Sequence, residues 1–211
     1  MDLRDFSLGM VLAAWALIGL AATASAQQGQ GRSKAPEYAG APFDKAAALE
    51  RRAAKHSWLM SESVQRGQAV AIRADASGAE IAAIDSAPRG GRPERVGLTK
   101  ALGVDVNFRD VSPGQLKGRA LGRQHGAMQG TADGGYVYTA TLSSAGATAL
   151  RVHFKGFRMP ANAEVYLYTD NGQVFGPYSG RGPLGDGEFW SHTLMGDTVY
   201  LQLRHNGAVN G

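Results

Sequence analysis

The chain contains no cysteine among its 211 residues. That excludes zinc knuckles, iron–sulfur clusters, thiol nucleophiles and any disulfide framework. It also lacks a long apolar segment: the run Met10–Ala22 covers thirteen residues, short of the roughly 20 that span a bilayer as a helix. No G-x-S-x-G, no P-loop and no H-x-x-x-H or H-x-H pair occurs, which removes the usual sequence signals for a hydrolase elbow, a phosphate cradle and a zinc helix. Charge of one sign is weak as well. Lys and Arg number 22 against 18 Asp and Glu, a net charge of +4, which is thin evidence for nucleic acid. What is present is 44% hydrophobic residues and 29 glycines against 8 prolines. That composition predicts one core-forming domain with extras, rich in tight turns and poor in long helices.

The first 26 residues read as an export signal. The apolar run is followed by Ala24-Ser25-Ala26, a small-residue cleavage pattern, and then by polar Gln27-Gln28. An uncleaved membrane anchor begins in a similar way, but the short run and the good cleavage site favour removal after Ala26. Cleavage takes away Arg4, Asp2 and Asp5 and raises the net charge from +4 to +5. The expectation is a secreted or periplasmic protein with no membrane segment after processing, stabilised by packing without disulfides.

The remaining chain divides into two textures. Residues 27–93 read as a linker, a helix and a mobile connection. Gln27–Asp44 is polar and punctuated by Gly and Pro. A helix is expected from Asp44, as N-cap, to about Arg66, with Leu49, Ala53 and Met60 on one face, Trp58 and Leu59 near it, and Gly67 ending it. Between Ala71 and Gly97, Ser77-Gly78 and Pro88–Pro93 suggest a short strand or two and a mobile connection.

From Glu94 the period becomes two, and residues 94–205 are assigned to a β-sandwich. Tyr136–Ser143, Leu150–Phe154, Val165–Tyr168 and Val199–Arg204 are alternating runs bounded by turn residues, as antiparallel strands require. Asn171-Gly172 between Thr169 and Gln173 predicts a hairpin with a type I′ turn. Of the seventeen Phe, Trp and Tyr, eleven lie between Tyr136 and Tyr200. The expected fold is all-β, a jelly-roll-like antiparallel sandwich preceded by a signal peptide, a short helix and a flexible connection. Residues 206–211 are left as a tail or the start of a downstream domain.

Candidate chemistry is sparse. Gly196-Asp197-Thr198 resembles the approach to a serine-protease nucleophile, but Thr replaces Ser and a strand follows, so it reads as a turn. The histidines, His56, His125, His153, His192 and His205, are scattered, with His153 and His192 placed in strands. Gly180–Gly187 has neither the Lys-Ser/Thr of a P-loop nor a following helix. Asp186, Glu188, Asp170 and Asn171 offer oxygen ligands for calcium, too few to identify a site. Arg89, Arg92, Arg95, Lys117, Arg119 and Arg123 lack interleaved aromatics and read as a solvated or inter-domain surface, not a nucleic-acid groove. No catalytic, cofactor-binding or metal-ligating residue is assigned, and no cofactor is expected.

An ordered string of motifs carries a family resemblance. It runs Asp133-Gly-Gly-Tyr136, Ser143-Ser-Ala145, Leu150–Pro160 with Phe154 and Phe157, Ala163–Tyr168, Phe175–Tyr178 and Phe189–His192. This resembles the β-rich region that precedes the catalytic domain in secreted bacterial trypsin-like serine endopeptidases of the lysyl-endopeptidase type, over about Glu94 to Arg204. In such proteases the His, Asp and Ser lie in a later, cysteine-bearing domain. The chain stops at Gly211, so the resemblance implies either a truncated protease or a free-standing accessory domain, and no catalytic residue is carried over.

Two functions compete. In the first, the chain is a propeptide or accessory sandwich that binds a protease domain, in cis or in trans, by shape and β-pairing. It would assist that domain's folding, hold it inactive or target it, with Arg89, Arg92 and Arg95 as cleavage points. In the second, it is a secreted module binding glycan or cell surface, with Tyr166, Tyr168, Tyr178 and Trp190 as stacking platforms, which requires those rings to be exposed. A third and weaker reading is a proteolytically active fragment.

Overall fold

Alternating apolar residues in the second half of the chain produce strands because each apolar row can be buried on one face of a pleated sheet. The computed structural model describes residues 7–15, 44–63, 71–85, 97–107, 120–123 and 125–207. Within them lie β1 (Ser7–Trp15), α1 (Lys45–Glu62), β2 (Ile72–Arg73), α2 (Gly78–Asp85), β3 (Gly97–Asn107), β4 (Ala120–Arg123) and β5 (Gly126–Gly130). There follow β6 (Tyr136–Ser143), β7 (Ala149–Lys155), β8 (Ala163–Tyr168), β9 (Val174–Tyr178), β10 (Phe189–Trp190), β11 (Leu194–Met195) and β12 (Thr198–His205). The linker before Asp44, most of the basic connection with Arg89, Arg92 and Arg95, residues Lys117 and Arg119, and the end of the chain after Gly207 lie outside the described residues.

The strands form two sheets. Sheet A has the order β10-β7-β1-β3, with β11 also paired to β7; sheet B has the order β4-β5-β6-β12-β8-β9, with β2 paired to β6. All pairings are antiparallel except β2 with β6, where Ile72 and Arg73 run parallel to Leu142 and Ser143. The all-β expectation therefore holds, in mixed and antiparallel sheets. The two sheets share one core: Leu150, Val152, Phe154, Val104 and Val106 of sheet A meet Tyr138, Leu142, Val165, Leu167 and Leu201 of sheet B. At its centre Phe154, Phe157, Tyr178 and Phe189 stack and abut at ring-centroid distances from 4.9 to 6.1 Å. Such aromatic pairs add packing energy beyond the area they bury.

Strand β8 of sheet B is buried on both faces. In β8, Val165 and Leu167 point into the sandwich, whereas Tyr166 and Tyr168 pack with Leu59 of α1. The helix is therefore a third layer, not an appendage in a connecting segment. It begins as expected: Asp44 is the N-cap, and its Oδ1 accepts from the Ala47 amide at 3.0 Å, satisfying one of the orphan donors of the first turn. Of the residues expected on or near one face, those close to the C-terminal end are covered and the earlier ones are not. Leu49 is 51% exposed, Ala53 is exposed and Met60 is half-buried, whereas Leu59 is 0% exposed.

The reason is that α1 docks through its C-terminal half alone. His56 Nε2 lies 2.8 Å from the Thr169 carbonyl, and Trp58 meets Tyr166 edge-on at 5.9 Å. The Tyr168 hydroxyl donates to Gln202 Oε1 at 3.0 Å and meets Ser63 Oγ at the same distance. Glu62 pairs with Arg204.

Other local readings change in instructive ways. Residues Gly78–Asp85 form α2, where a short strand or two and a mobile connection were expected. The Ser77 amide and hydroxyl donate to Glu80 Oε2 at 2.9 and 2.8 Å, and the Glu80 amide lies 3.3 Å from Ser77 Oγ. This is the reciprocal S-x-x-E cap that starts a helix. Lys100 of β3 then pairs with Glu80 at 2.6 Å; with the Ser77 bonds, that pair holds the Glu80 carboxyl at about 2, well below its ordinary 4.5.

The hairpin at Asp170–Gly172 is present, but as a three-residue loop. Thr169 N donates to Gln173 O, Gly172 N donates to Thr169 O, and Gly172 sits at φ +87°. That is a turn followed by a left-handed residue instead of the two-residue type I′ form. His192 lies just beyond β10 instead of within a strand. The packed body is also wider than residues 94–205, since Leu59, Ile72 and Ala74 are buried in it, and Asn206 and Gly207 are bonded to Asn162 and Asp133.

The stretch expected to be the core of an export signal contributes β1, which lies between β7 and β3.

If α1 is held mainly by Leu59 against Tyr166 and Tyr168, Leu59→Ala should cost about 2–5 kcal/mol of folding free energy. Chemical denaturation followed by far-ultraviolet circular dichroism measures this. A loss under about 1 kcal/mol would contradict the docking described.

Candidate partner-binding surface

The motifs that suggest chemistry fold into structural roles. Thr198 Oγ1 donates to Asp197 Oδ1 at 2.9 Å and Gly196 has φ +118°, so Gly196-Asp197-Thr198 is the turn into β12. Ser191 stands next to His192, yet its hydroxyl donates to the His192 carbonyl at 2.8 Å and accepts from the Val152 amide at 2.9 Å. A side chain so engaged is a buried staple between β7 and β10, not a poised nucleophile.

The glycine-rich loop Gly180–Gly187 turns its polar backbone inward. Gly187 N donates to Arg181 O, Phe157 N to Gly187 O and Met159 N to Gly180 O. A Cβ on Gly182 would lie 2.4 Å from the Phe189 ring, so glycine is required there by close approach to the core.

The proposed calcium oxygens are dispersed and engaged. Asp186 accepts from the Glu188 amide, Glu188 meets His153 and Lys155, Asp170 accepts from the Tyr200 hydroxyl, and Asn171 accepts from Thr169 and Gln173. No group of three or more metal-ligating side chains is found among the described residues.

A cleft of about 470 Å³ opens between the end of α1 and the β5–β6 turn, lined by Glu62, Ser63, Thr131, Asp133, Val137 and Arg204. Its charges serve the fold. Glu62 and Arg204 neutralise one another. Asp133 accepts from the Thr131 hydroxyl and from the Gly135 and Gly207 amides, each amide at 3.2 Å. Led by the Thr131 bond, these hold its carboxyl below the usual aspartate range despite partial desolvation. The carboxylate thereby ties the β5–β6 hairpin to the end of β12. Beside it His205 stacks flat on Tyr136 at 4.9 Å, and burial lowers its pKa.

Of the four rings considered as sugar platforms, Tyr166, Tyr168 and Tyr178 are buried, and only Trp190 is exposed, at 38%. Two of the three buried rings lie under α1, and Tyr178 joins the aromatic core, where burial raises its pKa. Rings so enclosed cannot stack on a ligand.

Trp190 marks the most site-like surface. It sits on β10 opposite His153 and stacks on that ring at 4.3 Å, with the Arg151 guanidinium 5.7 Å from its centre. Arg151, His153 and Lys155 alternate with buried Leu150, Val152 and Phe154 along β7 and so share the outer face of sheet A. Met195, on the other short edge strand β11, is 41% exposed. An exposed Trp beside Arg at a sheet edge is the composition of a protein-binding hot spot. The sequence places Trp190 among the aromatics, but its exposure follows from pairing to β7, which alternation within a two-residue strand does not reveal. No protein-family model, curated protein or solved structure gives a significant match to this chain.

The two residues of β10 face opposite ways, which gives a direct test. Phe189→Ala should cost about 3–5 kcal/mol, as a core aromatic does. Trp190→Ala should cost under about 1 kcal/mol, as a surface position does. Equal costs, measured by denaturation, would contradict the assignment of the faces.

Proposed function

We propose that this chain is an exported, non-catalytic β-sandwich of jelly-roll-like form that serves as the propeptide or accessory domain of a secreted trypsin-like serine endopeptidase. The observation that carries the binding role is the exposed Trp190 with Arg151, His153 and Lys155 on the outer face of sheet A. The protease assignment rests on the ordered motifs from Asp133 to His192. Phe154, Phe157, Tyr178 and Phe189 within those motifs meet in one aromatic cluster, so the motifs encode a fold and no catalytic step. The chain acts by docking on a protease domain and assisting its folding or holding it inactive. Export follows from the Met10–Ala22 run and the Ala24-Ser25-Ala26 site. The glycan-binding alternative keeps a single exposed ring, Trp190, and one ring without a neighbouring platform makes a weak sugar site.

The pure chain should show no turnover of peptides with Lys or Arg at the scissile position. It should slow a lysine-specific secreted endopeptidase in a saturable manner, and Trp190→Ala should raise the half-inhibitory concentration at least about tenfold. Hydrolysis by the chain itself overturns the proposal, as does saturable oligosaccharide binding with no effect on the protease.

A further inference from the structure

β1 occupies a position that defines sheet A. It runs antiparallel to both neighbours, with Gly9–Trp15 paired to Lys155–Ala149 of β7 and Ser7–Trp15 paired to Asn107–Gly97 of β3. No pairing joins β7 to β3 directly among the described residues. β1 is therefore the one described strand that connects the β7 edge to β3. Its nine residues, SLGMVLAAW, carry no charge. Met10, Leu12 and Ala14 stand opposite Phe154, Val152 and Leu150, the buried row of β7. Gly9 and Ala13 stand opposite Lys155 and Arg151, in the outer row of β7.

The same residues lie within the segment that export removes. Resting on that reading, we infer that leader cleavage opens a strand-wide slot between β7 and β3, and that a strand of the partner polypeptide fills it by β-augmentation. Removing β1 would leave two unpaired backbone edges, each a template for another chain. A vacant slot therefore invites a replacement strand.

The slot states the chemistry of its occupant. The strand is extended, antiparallel to β7 and β3, and apolar at alternate positions opposite Leu150, Val152 and Phe154. At the intervening positions it bears acidic residues, opposite Arg151 and Lys155, because opposite charges directly across a sheet stabilise the pairing. Under the accessory-domain reading that strand belongs to the protease domain, so docking and completion of sheet A are one event.

The test uses the chain exported from a bacterial host, with its N-terminus sequenced, and three synthetic probes. These are the peptide Ser7–Trp15 with a C-terminal dilysine tail, the same peptide with Leu12→Pro, and the same peptide with Gly9→Glu and Ala13→Glu. Amide hydrogen exchange in 97–107 and 149–155 of the processed protein should be at least tenfold faster than in the unprocessed chain. The parent peptide should restore protection and the proline peptide should not, since proline removes a ladder donor. The acidic peptide should bind more tightly than the parent at low salt.

If residues 1–26 are gone and no peptide protects the two strands, the slot is wrong and the export reading stands. If the exported protein still carries Ser7–Trp15, cleavage and vacancy both fail. If the processed protein is a dimer with both strands already protected, the place belongs to a second copy, and the partner assignment is overturned.

Discussion

Burial of both faces of β8, in sheet B, is the constraint on which the rest of the structure depends. A strand covered on one side alternates apolar with polar residues, whereas β8 reads Ala163, Glu164, Val165, Tyr166, Leu167 and Tyr168 with all but Glu164 buried. The inner row packs against sheet A, and the outer tyrosines require α1 as a cover. Tyrosine suits that outer row because each ring buries area while its hydroxyl keeps a partner: Tyr166 bonds Glu164 at 2.7 Å and Tyr168 bonds Gln202 at 3.0 Å. Burial and the Glu164 bond together raise the Tyr166 pKa, so the phenol stays protonated in the folded protein.

That cover fixes where function can reside. With α1 against the outer tyrosines of β8, the outer face of sheet A is the β-surface to which this account assigns binding. There β7 presents Arg151, His153 and Lys155, β10 presents Trp190, and the neighbours of β1 are held together through β1 itself. Both the proposed docking face and the proposed strand slot thus belong to one sheet. The opposite side of the molecule is committed to holding itself together.

Much of this was legible in the sequence, and the rest was hidden for identifiable physical reasons. The period-two runs that became β6, β7, β8 and β12 could be read because their apolar rows all serve one core, and Asp44 announced the start of α1. The buried face of α1 was legible only around Trp58, Leu59 and Met60, because the helix docks by a few residues near its C-terminal end and leaves Leu49 and Ala53 uncovered. α2 did have a local signal, Ser77 with Glu80 three residues on, but the neighbouring Gly78 suggested a turn more strongly. Burial of Tyr166 and Tyr168 depends on a helix more than 100 residues earlier in the chain, which no local pattern encodes. For the candidate surface, the types of residue were visible and their grouping was not. Trp190 meets Arg151 and His153 only through the pairing of β10 with β7.

The central claim is that sheet A, and not the face covered by α1, receives a protease domain. Lysines report on both sides: Lys155 lies exposed on β7, and Lys45 and Lys55 lie exposed on α1. Chemical cross-linking of the exported chain to a lysine-specific endopeptidase domain, read by mass spectrometry, therefore addresses it directly. Cross-links from Lys155, with none from Lys45 and Lys55, are the result this account requires. Cross-links confined to Lys45 and Lys55, or no complex at all, would contradict it.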